Sequence, residues 1–241
     1  LTSLGNLVGT GPVLLGVMAV PFTVFATVGV ANAFNLSDGM DGLAGGLAMI
    51  TAAFLAVAAY LSGSSETLVL LLILSGALAG FLCFNMRLPW QCHAKVFMGD
   101  SGSLMLGFLL AWAVVRVTQA DTNALPPAAA LWFFAIPLMD TVSLMLRRML
   151  RGRSPFQHGR DHLHHILSRA GYTDAQVVWT IHFAAVFFGL VGFHGWRAGL
   201  ADATLFYGFL SVFVVYFFGV EHAGRLLRLF GRTLGWSRPQ A

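Results

Sequence analysis

Charged residues are scarce in this sequence. They make up 10% of the 241 residues, against about a quarter in soluble globular domains, and only ten residues are acidic. Hydrophobic residues make up 57%, and apolar runs recur that are long enough to cross a bilayer as helices. These features exclude an ordinary soluble domain and indicate a membrane protein. The strict alternation of polar and apolar residues that barrel strands need is also lacking.

Cysteine is nearly absent as well. Cys83 lies in an apolar run and Cys92 in a short connection, and no CxxC spacing occurs. The sequence therefore excludes a disulfide framework and a zinc ribbon. The net charge of +4 arises from basic residues that border apolar runs. These favour anionic membrane lipids, and not nucleic acid, as the partner.

The apolar runs predict an all-α fold, a polytopic integral membrane helical bundle. About seven spans fit, at residues 13–34, 42–62, 67–86, 98–118, 125–146, 177–196 and 201–220. Two glycine pairs at GxxxG spacing, Gly42 with Gly46 and Gly76 with Gly80, predict close helix packing. Pro137 predicts a kink in the fifth span.

Basic residues gather on one side of this predicted bundle. If residues 35–41 face the cytoplasm, then the connections 87–97 and 147–176 and the basic tail 221–241 do so too. These four segments hold twelve of the fourteen Lys and Arg residues, as expected for cytoplasmic loops. The acidic and histidine candidate residues lie on the same side. A pump or channel would instead place ionisable residues along a path through the membrane. We expect the tail to lie on the inner leaflet.

The first polar motif ends the first span and reads NAFNLSDGMDGLAGG, residues 32–46. Asn32, Asn35, Asp38 and Asp41 recur every third residue, so on a helix they form one polar stripe. Carboxylates beside an apolar span carry a large desolvation cost unless something compensates them. Carboxylate and amide oxygens suit magnesium. The alternative is a helix cap and turn, in which Asp and Gly are frequent.

The second motif, residues 95–107, reads KVFMGDSGSLMLG. Asp100 stands between Gly99 and Gly102 just before a new apolar helix. A helix N-terminus attracts anions, so a carboxylate there makes sense if a divalent cation lies between it and the anion. A plain helix cap is the alternative. The motif does not match GxxxxGK[ST], which argues against a P-loop.

The third motif lies in the loop 147–176 and reads RGRSPFQHGRDHLHHIL. On a helix His158, His162 and His165 would share one face, which makes a zinc site conceivable. The motif has no cysteine, however, and its arginines would oppose a cation. Arginine and protonated histidine suit phosphate oxygens, so we prefer a diphosphate clamp. Binding of this basic face to anionic lipid is the alternative.

In order and spacing, the three motifs closely resemble those of the polyprenyl-phosphate N-acetylhexosamine-1-phosphate transferases. The resemblance covers nearly the whole chain. It implies transfer of GlcNAc 1-phosphate from UDP-GlcNAc to undecaprenyl phosphate with release of UMP. It further implies dependence on magnesium or manganese and a site on the cytoplasmic face of the bacterial inner membrane. The product would initiate a lipid-linked surface glycan such as O-antigen.

The resemblance also implies residue roles. By position, the metal ligand would be Asp100, and the catalytic residues would be Asn32, Asn35, Asp38 and Asp41. The substrate-binding group would be Lys95, Arg160, His162, His164 and His165.

One part of the family pattern is missing from this sequence. The family carries an adjacent pair of aspartates on an earlier cytoplasmic segment, and no such dipeptide occurs here. The family fold also has more spans than the seven predicted. We therefore expect residues 1–241 to be the C-terminal part of a single membrane transferase domain, and to be inactive alone.

Three alternatives stay open at this point. The same chemistry could use another UDP-sugar such as UDP-MurNAc-pentapeptide. The histidine loop, residues 162–165 within the connection 147–176, could serve a metal or anion transporter. The chain could instead be a noncatalytic scaffold. The sequence does not determine the oligomeric state.

Overall fold

A computed structural model describes residues 1–88, 91, 93–120, 124–155 and 162–233, without the side chains of 221 and 223–233. Within these residues the fold consists of helices and connections, with isolated bridges but no strand. A 3-10 turn at Gly16–Met18 leads into the first helix. The α-helices are α1 (Ala19–Ser37), α2 (Leu43–Leu61), α3 (Ser65–Asn85), α4 (Gly99–Thr118), α5 (Pro127–Phe133), α6 (Ala135–Leu150), α7 (Leu163–Arg169), α8 (Asp174–Arg197) and α9 (Asp202–Thr233).

The helix lengths confirm the prediction of a multi-pass membrane bundle. Six helices of the described chain are long and apolar enough to cross a bilayer: α1, α2, α3, α4, α8 and the first part of α9. The pair α5 and α6 passes the same test as one broken span, which brings the total to the seven predicted. The short helix α7 lies in the predicted loop 147–176.

The fifth span breaks earlier and more sharply than the kink predicted at Pro137. Helices α5 and α6 meet at 87° around Phe134, and Pro137 lies in the first turn of α6. A proline ring excludes the carbonyl of residue i−4, here Phe133, so the helix cannot continue unbroken across this point. The Phe133 carbonyl oxygen instead accepts a hydrogen bond from Thr51 Oγ1 of α2 at 3.0 Å.

Helix α2 is the centre of the bundle. Its buried residues run from Leu43 to Ala59, and α3, α4 and α8 pack around it. Helix α1 packs along α4, and α9 packs against α5 and α6. Away from these contacts, α1 and α3 expose large apolar side chains such as Phe25 and Ile73. Such surfaces are suited to lipid tails.

Small residues allow the closest helix contacts, but not all at the predicted positions. At Gly46 the His182 imidazole of α8 occupies the space of a side chain, which confirms close packing there. The Gly76 and Gly80 prediction stays a prediction, since a Cβ at either position would meet no described atom within 4 Å. The tightest backbone approach is at Gly107 of α4, where a Cβ would lie 2.6 Å from the Cα of Ala31.

The two ends of the bundle differ in chemistry. At one end the N-terminal segment is tied down by hydrogen bonds from Thr2 to Gln119 and from Asn6 to Asp202. At the other end lie the connections that hold the predicted site. Among the described residues, the predicted connections 87–97 and 147–176 carry Arg87, Lys95, Arg147, Arg148, Arg151, Arg153 and Arg169.

We expect Gly107→Ala to destabilise the bundle by about 1–3 kcal/mol, because the added methyl group must push α1 away from α4. Thermal unfolding in detergent measures the change. Gly80→Ala is the matched control: it adds the same methyl group where space is open, and should be neutral or slightly stabilising. Equal effects of the two substitutions would contradict the packing assigned to Gly107.

Candidate functional site

The turn between α1 and α2 presents the two aspartates of the first motif. Helix α1 ends at Ser37 with Asp38 as its C-cap, and α2 starts after Gly42, whose φ of +81° favours glycine. The Gly42 N–H donates to Asn85 Oδ1 at 2.8 Å, and Asn85 Nδ2 donates to the Val96 carbonyl at 2.8 Å. This acidic turn, residues 38–42, is therefore fastened to both sides of the α3–α4 connection.

Asp100 is linked through Asn35 to the end of α1, just before the acidic turn. Asn35 Nδ2 donates to Asp100 Oδ1 at 3.1 Å and to Ser103 Oγ at 3.0 Å. The cap alternative does not apply, because Met98 is the N-cap of α4 and no side chain caps it. Nor does a side chain cap the start of α2. The Asp100 carboxylate is exposed at the helix start and is available to a ligand.

Three carboxylates influence one another at this end of the bundle. Partial burial raises the pKa of Asp38 above its ordinary value, and the nearby charges of Asp100 and Asp41 raise it further. A divalent cation would relieve this repulsion. No group of three His, Cys, Asp or Glu side chains is placed to hold a metal among the described residues. Magnesium commonly binds through one or two carboxylates plus waters and substrate phosphates, so the pair Asp38 and Asp100 fits it.

Asp41 differs from Asp38 in having a basic partner. Arg87 Nε donates to Asp41 Oδ2 at 2.8 Å, and Arg87 Nη1 pairs with Asp174 Oδ2 of α8 at 2.7 Å. The Ala94 N–H also approaches Asp41 Oδ2, at 3.4 Å. Among the described ion pairs, none involves Asp38. Asp41 therefore ties the turn to α8, whereas Asp38 has its charge available for a ligand.

A cleft of about 630 Å³ opens beside this ion pair. It lies between the α3–α4 connection and the start of α8. Its lining includes Arg87, Leu88, Gln91, Thr173, Asp174 and Trp179. The cleft has the size range of a small-molecule site and adjoins the acidic turn through Arg87.

The histidine loop packs onto the acidic turn. His162 immediately precedes α7, and its ring stacks parallel to that of His164 with centroids 5.7 Å apart. His164 in turn contacts His165, with centroids 4.2 Å apart. A Cβ at Gly39 would lie 2.5 Å from His164 Nε2, so only glycine allows this approach. Residues more than a hundred positions apart thus meet at one site.

His164 is neutral at physiological pH. Burial is the main cause that lowers its pKa, to about 4, and the neighbouring His165 and His162 lower it further. Its Nε2 atom is buried without a hydrogen-bond partner among the described residues. The sequence analysis favoured protonated histidines as the anion clamp, and for His164 this is corrected to a neutral ring with one nitrogen unsatisfied.

The structure does not gather every predicted site residue. Asn32 is exposed on α1, and none of the hydrogen bonds described for the site involves it. Lys95 is exposed, and its backbone N–H donates to the Phe84 carbonyl at 2.8 Å. His165 is half-buried. Arg160 and His158 lie outside the described residues, so their predicted roles stay predictions, as do those of Asn32 and Lys95.

The sequence analysis missed several residues that shape the site. Asn85, Arg87 and Asp174 position the acidic turn, while Asp140 and Tyr216 hold the histidine loop. Asn85 was detectable as a polar residue at the end of an apolar run. The pairing of Arg87 with Asp41 and Asp174 left no sequence signal, because contacts between distant segments have no fixed spacing.

Comparison with known proteins gives consistent results. Residues 1–118 match Glycosyl transferase family 4. The chain is 34% identical to the undecaprenyl-phosphate alpha-N-acetylglucosaminyl 1-phosphate transferase of Yersinia pestis over 96% of its length. Identity is 34% over 97% of the chain for the Escherichia coli K12 protein of that name and 36% over 95% for that of Haemophilus influenzae. In each case the chain spans 64% of the relative's length.

We expect His164 to make folding pH-dependent. Its pKa is about 4 when folded and about 6.5 when unfolded, so only the unfolded chain binds a proton between these values. Its contribution to stability is therefore complete above pH 6.5 and declines as the pH falls towards 4, by at most about 3 kcal/mol.

The test compares thermal unfolding of the wild type and His164→Gln between pH 7 and 4.5. The variant should lose less stability on acidification than the wild type. His222→Gln removes an exposed histidine and should retain the wild-type pH dependence. An unchanged pH dependence in His164→Gln would show that His164 is readily protonated when folded.

We expect Arg87→Met to destabilise the protein by about 1–3 kcal/mol, because it leaves the Asp41 carboxylate partly buried without its charged partner. Arg116→Met is the matched control. It breaks the exposed pair of Arg116 with Glu66, 3.5 Å apart, and should cost less than about 1 kcal/mol. Both are measured by thermal unfolding, and equal losses would argue against a special role for Arg87.

Proposed function

We propose that this protein is a member of glycosyl transferase family 4 and transfers GlcNAc 1-phosphate from UDP-GlcNAc to undecaprenyl phosphate, releasing UMP. The observation that carries the proposal is the meeting of three distant segments at one end of a membrane bundle. These are the acidic turn, the start of α4 with Asp100, and the histidine loop. Their chemistry suits a phosphorylated donor and a lipid acceptor.

The reaction exchanges one phosphoanhydride linkage for another. An oxygen of the lipid phosphate attacks the phosphorus bonded to GlcNAc. The bond from that phosphorus to the bridging oxygen breaks, and UMP leaves with that oxygen. The attacking phosphate is already anionic, so the protein's main tasks are positioning and neutralisation of charge.

The residues of the site divide these tasks. Asp38 and Asp100 would hold magnesium, which when bound neutralises the negative charge of the diphosphate. Asn35 orients the Asp100 carboxylate by its hydrogen bond. The buried His164 ring packs against Gly39 and so holds the loop onto the acidic turn. Arg87 keeps Asp41 ion-paired and thereby fixes the turn.

The proposal includes an orientation in the bacterial inner membrane. The connections at the site end carry seven of the described Lys and Arg residues, whereas Arg116 and Arg197 border the opposite end. Loops rich in Lys and Arg stay in the cytoplasm. The site would therefore face the cytoplasm, where nucleotide sugars are available, while the acceptor's polyprenyl chain remains among the helices and lipids.

We expect the full-length protein to form labelled lipid and UMP in equal amounts from radiolabelled UDP-GlcNAc, undecaprenyl phosphate and magnesium. Chelation of the metal should abolish both products. Asp100→Asn should lower the rate by about 100-fold or more, because it weakens the proposed metal site. Asp202→Asn, the same change at the opposite end of the bundle, should leave the rate within about threefold.

Three outcomes would contradict this proposal. A folded protein that binds UDP-GlcNAc but forms no lipid product would require a different acceptor. Formation of product from UDP-MurNAc-pentapeptide in preference to UDP-GlcNAc would require a different sugar. Equal losses in Asp100→Asn and Asp202→Asn would remove Asp100 from the site.

A further inference from the structure

The carboxylate of Asp140 is the buried anchor of the histidine loop. Asp140 lies in α6 and is 6% exposed, and His162 is 5% exposed. Asp140 Oδ2 lies 2.8 Å from His162 Nδ1. Asp140 Oδ1 accepts hydrogen bonds from the Leu163 N–H and the Tyr216 hydroxyl, both at 2.9 Å. One side chain therefore connects α6, α9 and the start of α7.

This arrangement defines the hydrogen position on His162 when Asp140 is ionised. Asp140 accepts on Oδ1 from two donors, and as a carboxylate it leaves His162 Nδ1 to carry the hydrogen that lies between Nδ1 and Oδ2. In the neutral ring Nε2 then bears the lone pair, and in the protonated ring Nε2 is a donor. A carboxylate that orients a functional histidine in this way is a recurrent device of enzyme sites.

The orientation of the His162 ring affects the rest of the site. Its ring is within 6° of parallel to that of His164, and His164 contacts Gly39 in the acidic turn. A rotation of His162 would therefore displace His164 from the turn. The sharp bend before α6 makes the connection possible, because it redirects the helix that carries Asp140.

We propose that Asp140 is a positioning residue that holds His162 and His164 in register with the acidic turn, so that the histidine loop binds the diphosphate of the sugar donor. The inference rests on the proposed function. A purely structural role would not need an ionised group, because well-packed apolar residues stabilise a buried site as well as an ion pair does. The carboxylate is required if the histidine needs a defined hydrogen position.

The test measures kcat and KM for both substrates in the full-length enzyme. Asp140→Asn should raise KM for UDP-GlcNAc by about 10-fold or more, because its amide cannot accept from both Leu163 and His162 without a competing donor. KM for undecaprenyl phosphate should stay within about twofold. Thr141→Val is the neighbouring control: its hydroxyl is buried without a partner among the described residues, and both KM values should stay near the wild type.

A double-substitution cycle tests whether Asp140 acts through His162. His162→Ala removes the same hydrogen bond from the other side and leaves Asp140 its bonds to Leu163 and Tyr216. It should show the same donor-specific rise in KM, and it supplies the test if Asp140→Asn fails to fold. The variant carrying both changes should be no worse than His162→Ala alone.

The inference would be overturned if the KM increases of the two single variants multiplied in the double variant. It would also be overturned if KM rose equally for both substrates, or if Asp140→Asn had the KM values of an active wild-type enzyme. Absence of lipid product from the wild-type enzyme is a different result: it overturns the proposed function, and this inference with it.

Discussion

The cost of placing carboxylates at the end of an apolar helix bundle governs the architecture of this protein. Each acidic group in the site has a different compensation. Asp41 has Arg87, Asp140 has three hydrogen-bond partners, and Asp100 has Asn35 together with exposure to solvent. Asp38 has the weakest compensation, and its raised pKa reflects the cost of burial and of repulsion by the neighbouring carboxylates. Ligand binding at the site would reduce that cost.

The compensating partners also assemble the site. Arg87 joins the acidic turn to α8, Asn85 joins it to the α3–α4 connection, and Asn35 joins α1 to α4. The same polar contacts that satisfy buried groups therefore hold distant segments in register. The broken fifth span contributes in the same way, since its bend redirects α6 and brings Asp140 beneath the histidine loop. Stability and function thus depend on one set of contacts.

Much of the fold was predictable because long apolar runs have one solution in a bilayer. Backbone groups in lipid must be satisfied internally, so such runs become helices. Local motifs also identified Asp38, Asp100 and the histidine loop, because polar residues beside apolar spans stand out. A GxxxG spacing such as that of Gly76 and Gly80 shows that an approach is possible, not that a helix lies opposite, and no described atom lies within 4 Å of a Cβ at either position. The tight contact was at Gly107 instead.

The sequence by itself determined the helical class, the number of spans and the side on which charge collects, because these depend on composition and local order. Only the tertiary structure decided which charges compensate one another. It separated Asp41, paired with Arg87, from Asp38, and it made His164 a buried neutral ring where the sequence favoured a cation. Burial and pairing depend on distances between segments far apart in the chain. No local pattern encodes those distances, and they set the electrostatics of the site.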